Sequence, residues 1–196
     1  MLCFRCEIDL PLFNNEQVVE HILGGRVPVR QAAIYLKFYA GGQTQRLLHE
    51  LKYRSNLDLG KYLGKRFMQH GSNAEHFKHI DVIVPIPLHA AKFKQRGYNQ
   101  SAIIAHGIGQ VLDRPVQGNS VIRTRKSETQ TRKTRDERWQ NVSGIFECQG
   151  NALEGRHILV VDDVITTGAT MEACAQAILE AGAESASFAV LATAMK

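Results

Sequence analysis

The clearest pattern of apolar and polar positions lies near the C-terminal end of the chain. The run "HILVV" (157–161) is apolar and predicts a buried strand. The next segment predicts a helix that ends at Gly182, because apolar residues recur at helical spacing at Met171, Cys174, Ala175, Ile178 and Leu179. "SASFAVLAT" (185–193) predicts a second strand. Strand, helix and strand in this order predict a right-handed parallel crossover.

The first half of the chain shows a similar alternation. Residues 32–42, "AAIYLKFYAGG", predict a strand that ends at a glycine turn. Residues 43–53 and 57–69 predict two helices. The run "IDVIVPIP" (80–87) predicts a short strand, which its two prolines prevent from continuing inside a sheet.

The middle of the chain predicts a loop over 88–98, a helix over 99–112 and a strand over 119–123. The polar stretch 124–141 has no apolar period and is longer than a usual connection, so we expect either a functional mobile loop or a solvated excursion. Two strand–helix units predict an α/β fold with a mostly parallel central sheet flanked by helices.

Length and composition are those of one ordinary globular domain, with 196 residues and 44% apolar residues. Residues 1–31 show no clear periodicity, so we expect a small irregular N-terminal appendage ahead of a main domain over 32–196. The sequence has no run of about 18 apolar residues and no export signal. These features predict a cytoplasmic protein without membrane insertion.

The net charge of +5 is concentrated in two short segments. Residues 123–138 hold seven basic residues against three acidic ones, and Lys92, Lys94 and Arg96 form the second group. Concentrated basic residues fit a compact polyanionic ligand. A nucleic-acid groove and a plain solvated surface are the alternatives that the charge pattern leaves open.

The four cysteines do not have the spacing of a secreted disulfide framework. Cys174 falls on the apolar face of a predicted helix, and Cys148 stands alone. Cys3 and Cys6 form a CxxC pair, which supplies half of a tetrahedral zinc site. No second CxxC or suitably spaced histidine pair follows, so zinc binding within one chain stays an open alternative.

Two acidic residues precede a small, hydroxyl-rich turn in "HILVVDDVITTGAT" (157–170). Asp162 and Asp163 follow the predicted strand, and ligands of parallel sheets bind at the carboxyl ends of strands. The turn 166–170 leads into the next predicted helix, whose free N–H groups suit a phosphate. Its small residues allow close approach and its threonines add donors, so the turn predicts a phosphate site.

The neighbouring carboxylates indicate that this phosphate belongs to a sugar. Repulsion between a phosphate and each carboxylate about 7 Å away would cost ~2 kcal/mol at an effective dielectric of about 20. The N-terminus of the helix stabilises the phosphate by only ~0.3–1 kcal/mol. Two ribose hydroxyls would each return ~1.5–3 kcal/mol, and Mg²⁺ with nearby Lys and Arg would offset the rest. P-loop and GxGxxG motifs are absent from the sequence, and an acidic receiver-type Mg²⁺ pocket would leave the turn unexplained.

The string "VVDDVITTGAT" resembles the motif of type I phosphoribosyltransferases that binds phosphoribosyl pyrophosphate (PRPP). The chain is similar to the ComF family of competence-associated, amidophosphoribosyltransferase-like proteins. The likeness covers most of residues 35–193, including "GGQTQRLLHELKY" and "DVIVPIPLH", and the string Arg96-Gly97-Tyr98-Asn99-Gln100 narrows it to ComF-like members. The resemblance implies a type I phosphoribosyltransferase fold.

The resemblance also implies a role for each matching position. Asp162, Asp163 and Arg96 would be the catalytic residues, with the acids holding the ribose hydroxyls directly or through Mg²⁺ and Arg96 assisting at the pyrophosphate. The PRPP-binding residues would be Leu88, His89, Lys92, Val164, Ile165, Thr166, Thr167, Gly168, Ala169 and Thr170. Residues 123–138 would form a flexible lid that includes Arg123, Arg125, Lys126, Gln130 and Arg138.

ComF-like proteins generally begin with a four-cysteine zinc module, and this sequence starts at what resembles its second CxxC, Cys3 and Cys6. Three alternatives follow: the true start lies upstream, this member has no working zinc site, or two protomers pool their CxxC pairs. We expect a homodimer and keep zinc as an alternative.

These features lead to two main hypotheses. The first is a Mg²⁺-dependent phosphoribosyltransferase, in which a nitrogen nucleophile displaces pyrophosphate from the ribose. The second is a non-catalytic adaptor in DNA uptake that retains the PRPP-type pocket and binds a competence helicase or single-stranded DNA through 123–138. A receiver-like or purely structural α/β domain is a third, weaker interpretation.

Overall fold

The computed structural model describes residues 2–13, 27–124 and 144–194 of the chain. Six strands lie in these ranges: β1 (Val29–Lys37), β2 (Val82–Pro85), β3 (Val121–Arg123), β4 (Phe146–Cys148), β5 (His157–Ile165) and β6 (Ser185–Thr193). Seven helices accompany them: α1 (Phe4–Ile8), α2 (Gln43–Tyr53), α3 (Leu57–Gln69), α4 (Asn73–His76), α5 (Ala90–Arg96), α6 (Gln100–Leu112) and α7 (Ala169–Glu180). Within these ranges, every helix is too short or too polar to span a bilayer.

The central sheet has four parallel strands in the order β1-β6-β5-β2. Its two inner strands, β5 and β6, follow each other in the chain and are joined by α7, which gives the predicted parallel crossover. β3 and β4 form a separate antiparallel pair. The predicted α/β fold, with a parallel central sheet flanked by helices, is confirmed.

Side chains of the sheet alternate between two hydrophobic cores. Ile158 and Val160 of β5 belong to the core that contains the apolar residues of α7 and of the β3-β4 pair. Leu159 and Val161 belong to the second core, which is formed with α2, α3 and α6. A parallel strand that is buried on both faces requires this near-continuous apolar pattern. Helices therefore cover both faces of the sheet.

Two of the predicted strands differ from the observed ones at their ends. β1 spans Val29–Lys37, so it begins ahead of residue 32 and ends before the glycine turn. β5 runs to Ile165 and includes both aspartates, because β6 continues to pair with it as far as Thr193. The acids are thus part of the sheet and do not follow it.

The predicted loop over 88–98 is wrong in part, because it contains the helix α5. The N-cap residue His89 accepts a hydrogen bond at its Nδ1 from the Ala91 N–H at 3.2 Å. Gly97 ends the helix in the left-handed conformation, with a φ of 80°. Local capping, without an apolar period, thus produces this short helix.

Glycine permits close packing between α3 and α6. A Cβ atom at Gly64 of α3 would overlap the carbonyl oxygen of Ile104, and one at Gly107 of α6 would overlap that of Lys61. The two backbones therefore approach at distances that only glycine allows. Because α6 begins at Gln100, this contact also sets where its first turn lies against the sheet.

The N-terminal segment 2–13 packs against the edge of the sheet. Leu12 forms an antiparallel bridge with Leu36 of β1. The Gln43 Nε2 donates to the carbonyl oxygen of Cys6 at 2.6 Å. The segment thereby covers the outer edge of β1 and contacts the start of α2.

Gly107→Ala is expected to lower the free energy of unfolding by about 1–3 kcal/mol, because the added methyl group overpacks the contact between α3 and α6. Urea denaturation measures the change. Gly118→Ala is the control, since a Cβ atom there meets nothing within 4 Å. Equal stability of the two variants would contradict the close packing described here.

Candidate functional site

Asp162 and Asp163 lie near the C-terminal end of β5, an inner strand of the sheet. Asp163 is only 6% exposed, whereas Asp162 is half-buried. Successive side chains of a strand point to opposite faces. The two adjacent carboxylates therefore meet different neighbours.

A buried ion pair holds Asp163. The Nζ atom of Lys52, in the last turn of α2, lies 2.6 Å from Asp163 Oδ2. Gln100 Nε2, in the first turn of α6, donates to the same oxygen at 3.4 Å. Arg96, the last residue of α5, donates in turn to Gln100 Oε1. The ends of three helices thus converge on one carboxylate and compensate its charge.

Asp162 is held by hydrogen bonds. Its Oδ1 accepts at 2.9 Å from the Ser101 hydroxyl and at 2.9 Å from the main-chain N–H of Asp163. Burial raises the pKa of the Asp162 carboxyl from 3.8 to about 7, and the negative charge of Asp163 acts in the same direction. The two hydrogen bonds and the charge of Lys52 oppose this rise in the pKa. The site therefore contains a carboxyl group that ionises more readily once a cation or hydroxyl donors approach.

The turn 166–170 forms an open cleft at the start of α7. Gly168 adopts the left-handed conformation, with a φ of 79°, and precedes the first helical residue, Ala169. Thr166 is exposed. The lining residues are Asp162, Val164, Ile165, Thr166, Thr167, Gly168, Ala169, Thr170 and Met171. Asp162 and the first residues of α7, whose N–H groups lack a partner in the preceding turn of a helix, thus line the same space.

Basic side chains from three elements lie near the acids. Burial lowers the pKa of the Lys92 ammonium, and the charges of Arg123, Arg96 and Lys52 lower this pKa further. The charge of Asp163 acts in the opposite direction. We call these four basic residues the basic cluster. Four cations beside two acids leave an excess of positive charge, which suits a polyanionic ligand.

Some of the other predicted site residues lie inside the described ranges and some lie outside them. Leu88 and His89 lie between β2 and α5, where His89 caps the helix. Arg123 is half-buried at the end of β3, and its guanidinium carbon lies 5.6 Å from the ring centre of Phe146. The remaining predicted lid residues lie outside the described residues: Arg125, Lys126, Gln130 and Arg138.

The string 96–100 connects the site to its surroundings. The Tyr98 hydroxyl donates to the main-chain oxygen of Leu51, next to Lys52 in α2. Asn99 Nδ2 donates to the main-chain oxygen of Ile86 at 2.9 Å, and its Oδ1 caps the first turn of α6. This string therefore joins α2, the residues after β2 and the start of α6.

Three side chains that contact the acids are missing from the sequence-based prediction: Lys52, Gln100 and Ser101. Gln100 and Ser101 are separated in sequence by 63 and 61 positions from the acids that they contact. Their local signal is weak: two polar residues begin a helix whose other residues are mostly apolar. The spacing of residues alone does not reveal such long-range partners.

Cys3 and Cys6 lie at the start of the chain as exposed free thiols. The Cys6 N–H donates to Cys3 Sγ at 3.5 Å. The hydrogen bond from the main chain of Cys6 lowers the pKa of Cys3, whereas a side-chain hydrogen bond with Cys3 raises the pKa of Cys6. In the described ranges, no further His, Cys, Asp or Glu joins the pair to form a three-ligand metal group. Zinc binding at this pair stays a hypothesis.

Comparison with known proteins gives the class of this domain. A solved structure of glutamine PRPP amidotransferase from Bacillus subtilis, in complex with ADP and GMP, is 22% identical to the chain. It has a TM-score of 0.48 over 72% of this chain and 30% of that one. Residues 72–196, more than half of the chain, match the family described as phosphoribosyl transferase domain. Together with the parallel sheet, this family match defines a type I phosphoribosyltransferase fold.

Curated relatives narrow the class. The chain is 35% identical over 135 residues to competence protein ComFC of Bacillus subtilis. This alignment covers 69% of the chain and 53% of the relative. The chain is 30% identical over 140 residues to DNA utilization protein YhgH of Escherichia coli K12. This alignment covers 70% of the chain and 61% of the relative. The chain therefore matches only part of the length of these relatives. It belongs to the ComF family of phosphoribosyltransferase domains.

Asp162→Asn is expected to gain stability relative to the wild type as the pH rises. Between about pH 4 and about pH 7, Asp162 is protonated when folded and ionised when unfolded, so the free energy of unfolding of the wild type falls with pH. Asparagine keeps an oxygen that accepts from Ser101, and it does not ionise, so the fall in the free energy of unfolding is removed. We expect a relative gain of at least about 1.4 kcal/mol between about pH 5 and about pH 8, the equivalent of one pKa unit.

Urea denaturation at the two pH values measures this difference. Asp163→Asn is the matched control, because it breaks the buried ion pair with Lys52 and should lower stability at both pH values. The same pH dependence in the wild type and Asp162→Asn would show that Asp162 does not have the raised pKa.

Proposed function

We propose that this chain binds PRPP and transfers its phosphoribosyl group to a nitrogen nucleophile, with release of pyrophosphate. The observation that carries this proposal is the cleft lined by both Asp162 and the turn 166–170. A ribose 5-phosphate satisfies both parts of the cleft, because its hydroxyls donate to carboxylates and its phosphate accepts from the N–H groups of α7. Membership in the phosphoribosyl transferase domain family supports the same donor.

The basic cluster supplies the rest of the donor site. Lys92 and Arg96 come from α5, which follows β2, and Arg123 comes from the end of β3. We assign these residues to the pyrophosphate group, whose negative charge offsets the repulsion among the cations. The lowered pKa of Lys92, caused by burial and then by the neighbouring cations, is consistent with such repulsion in the free protein.

The acid pair also fits a magnesium ion. Mg²⁺ takes oxygen ligands and retains several waters, so one or two carboxylates and the phosphates of a substrate are sufficient to bind it. Asp162 and Asp163 would hold the ion, directly or through the ribose hydroxyls. When bound, Mg²⁺ neutralises charge on the leaving pyrophosphate.

The residues of the chain contribute position and charge to the reaction. A bond from the nitrogen nucleophile forms at the anomeric carbon while the bond to the pyrophosphate oxygen breaks. Lys92 and Arg96 stabilise the charge on the leaving group, and the two aspartates orient the ribose. No paired acid and base is required. Residues 125–138 of the predicted lid lie outside the described residues, so we assign them to closure over pyrophosphate only by family resemblance.

Isothermal titration with PRPP and Mg²⁺ tests the donor site. We expect the wild type to bind and the double variant Asp162→Asn/Asp163→Asn to lose at least about tenfold in affinity, or about 1.4 kcal/mol, because the charged acceptors of the ribose hydroxyls are gone. Asp58→Asn is the control, since this exposed aspartate lies in the first turn of α3. Absence of wild-type binding, or undiminished binding in the double variant, would defeat the proposal.

A role as an adaptor in DNA uptake is the second candidate, which the names of the relatives favour. The Bacillus subtilis relative is a competence protein, and the Escherichia coli relative is a DNA utilization protein. An adaptor would keep the PRPP-type pocket as a sensor. The basic segment 123–138 would bind single-stranded DNA or a competence helicase.

Retardation of a single-stranded oligonucleotide in a gel tests the adaptor. We expect retardation at low salt that weakens steeply as salt is added, because phosphate contacts release counterions. Replacing the basic residues of 125–138 by glutamine should weaken binding at least about tenfold. Lys61→Gln/Lys65→Gln, which removes two exposed charges from α3, is the control. Absence of retardation at low salt, with no protein partner recovered in a pull-down, would count against the adaptor.

A further inference from the structure

The ion pair between Lys52 and Asp163 lies inside the proposed donor site. Its N–O distance is 2.6 Å, and the two side chains are only 26% and 8% exposed. Gln100 donates to the same carboxylate oxygen, Oδ2, at 3.4 Å. In the free protein, this oxygen of Asp163 is therefore already engaged by an ammonium group and an amide.

The proposed function requires Asp163 for a different task. A divalent cation or a ribose hydroxyl would have to approach the carboxylate that Lys52 contacts. A cation on that carboxylate would lie beside a like charge at a largely buried position, where solvent screens the repulsion only weakly. Lys52 and a metal ion therefore compete for Asp163 unless the ammonium group gains another partner.

The ligand proposed for this site carries such a partner. The pyrophosphate of PRPP would bring phosphate oxygens towards Arg96. Arg96 donates to the side chain of Gln100, which contacts the same oxygen of Asp163 as Lys52 does. A phosphate oxygen held by Arg96 would thus approach the ion pair and attract Lys52. The exchange keeps every charge paired. The metal ion takes the place of Lys52 beside Asp163, and the phosphate becomes the new partner of the Lys52 ammonium.

We propose that Lys52 is a built-in counter-ion of Asp163 that moves to a phosphate oxygen when the donor binds, so that the site accepts a divalent cation only together with a pyrophosphate-bearing ligand. This inference rests on the proposed function. It makes Lys52 a specificity-determining residue that favours the metal–donor complex over the free metal.

The local structure suits such an exchange. A lysine ammonium is a compact charge on a flexible stem, whereas an arginine fork would hold a carboxylate at two points. The Tyr98 hydroxyl binds the main-chain oxygen of the preceding residue, Leu51. The backbone of α2 is therefore anchored, while the partly exposed Lys52 side chain is free to change its partner.

Binding of Mn²⁺ alone, measured by the loss of the free-ion signal in electron paramagnetic resonance, tests the counter-ion. We expect weak binding to the wild type and at least about tenfold tighter binding to Lys52→Met, because the competing cation is gone. Lys52→Arg should bind as weakly as the wild type. Lys65→Met is the control for the loss of one positive charge, since this residue is exposed on α3.

Titration with PRPP and Mg²⁺ gives the opposite expectation. Lys52→Met should bind the donor at least about tenfold more weakly than the wild type, because a cation for the phosphate is lost. A merely structural defect would weaken both ligands, whereas the exchange predicts changes of opposite sign. Lys52→Gln serves as the second variant if Lys52→Met does not fold, because its amide still donates to Asp163 without a charge.

The two readouts separate this inference from the proposed function. Wild-type binding of PRPP with no gain in Mn²⁺ affinity in a folded Lys52 variant would overturn the counter-ion role and leave the proposed function standing. A gain in Mn²⁺ affinity without PRPP binding by the wild type would support Lys52 as the competing cation and overturn the proposed function. Tighter Mn²⁺ binding together with weaker PRPP binding would support both.

Discussion

Two adjacent carboxylates at the end of a buried strand require a cation and hydrogen-bond donors nearby to compensate their negative charge. The helices around β5 supply these groups. An unpaired charge at Asp163, which is almost fully buried, would be strongly unfavourable. Lys52 and Gln100 bring a cation and a hydrogen-bond donor to it, while Ser101 donates to Asp162. The acid pair therefore persists because helices from distant parts of the chain reach it.

These helices are themselves positioned by contacts outside the site. Gly64 and Gly107 let α3 and α6 approach closely, which sets the place of the first turn of α6. Tyr98 joins the end of α2 to the residues just before α6. The ends of α2, α5 and α6 consequently meet at one end of the sheet. The packing of the core formed by α2, α3 and α6 and the geometry of the acids are thus linked.

The excess of basic residues beside the acids attracts phosphates of any kind, so it does not by itself distinguish a sugar diphosphate from a DNA strand. The acids do distinguish them. A ribose carries vicinal hydroxyls that donate to carboxylates, whereas deoxyribose lacks the 2′-hydroxyl and a DNA phosphate only repels them. In the proposed function, Asp162 and Asp163 would therefore favour a ribose ligand inside the cleft. DNA contacts, where they occur, are better suited to basic surface away from the acids.

The sequence by itself determined the elements with a strong apolar period, including the helix over 57–69 and the crossover that carries the acids and the turn. The acid–turn motif was recognisable because its residues are contiguous. The helix α5 was not predicted, since it depends on capping by His89 and lacks an apolar period. Only the tertiary structure decided that Lys52, Gln100 and Ser101 serve the acids. The physical reason is that these contacts form when helices pack on the sheet, so they join residues that no local spacing relates.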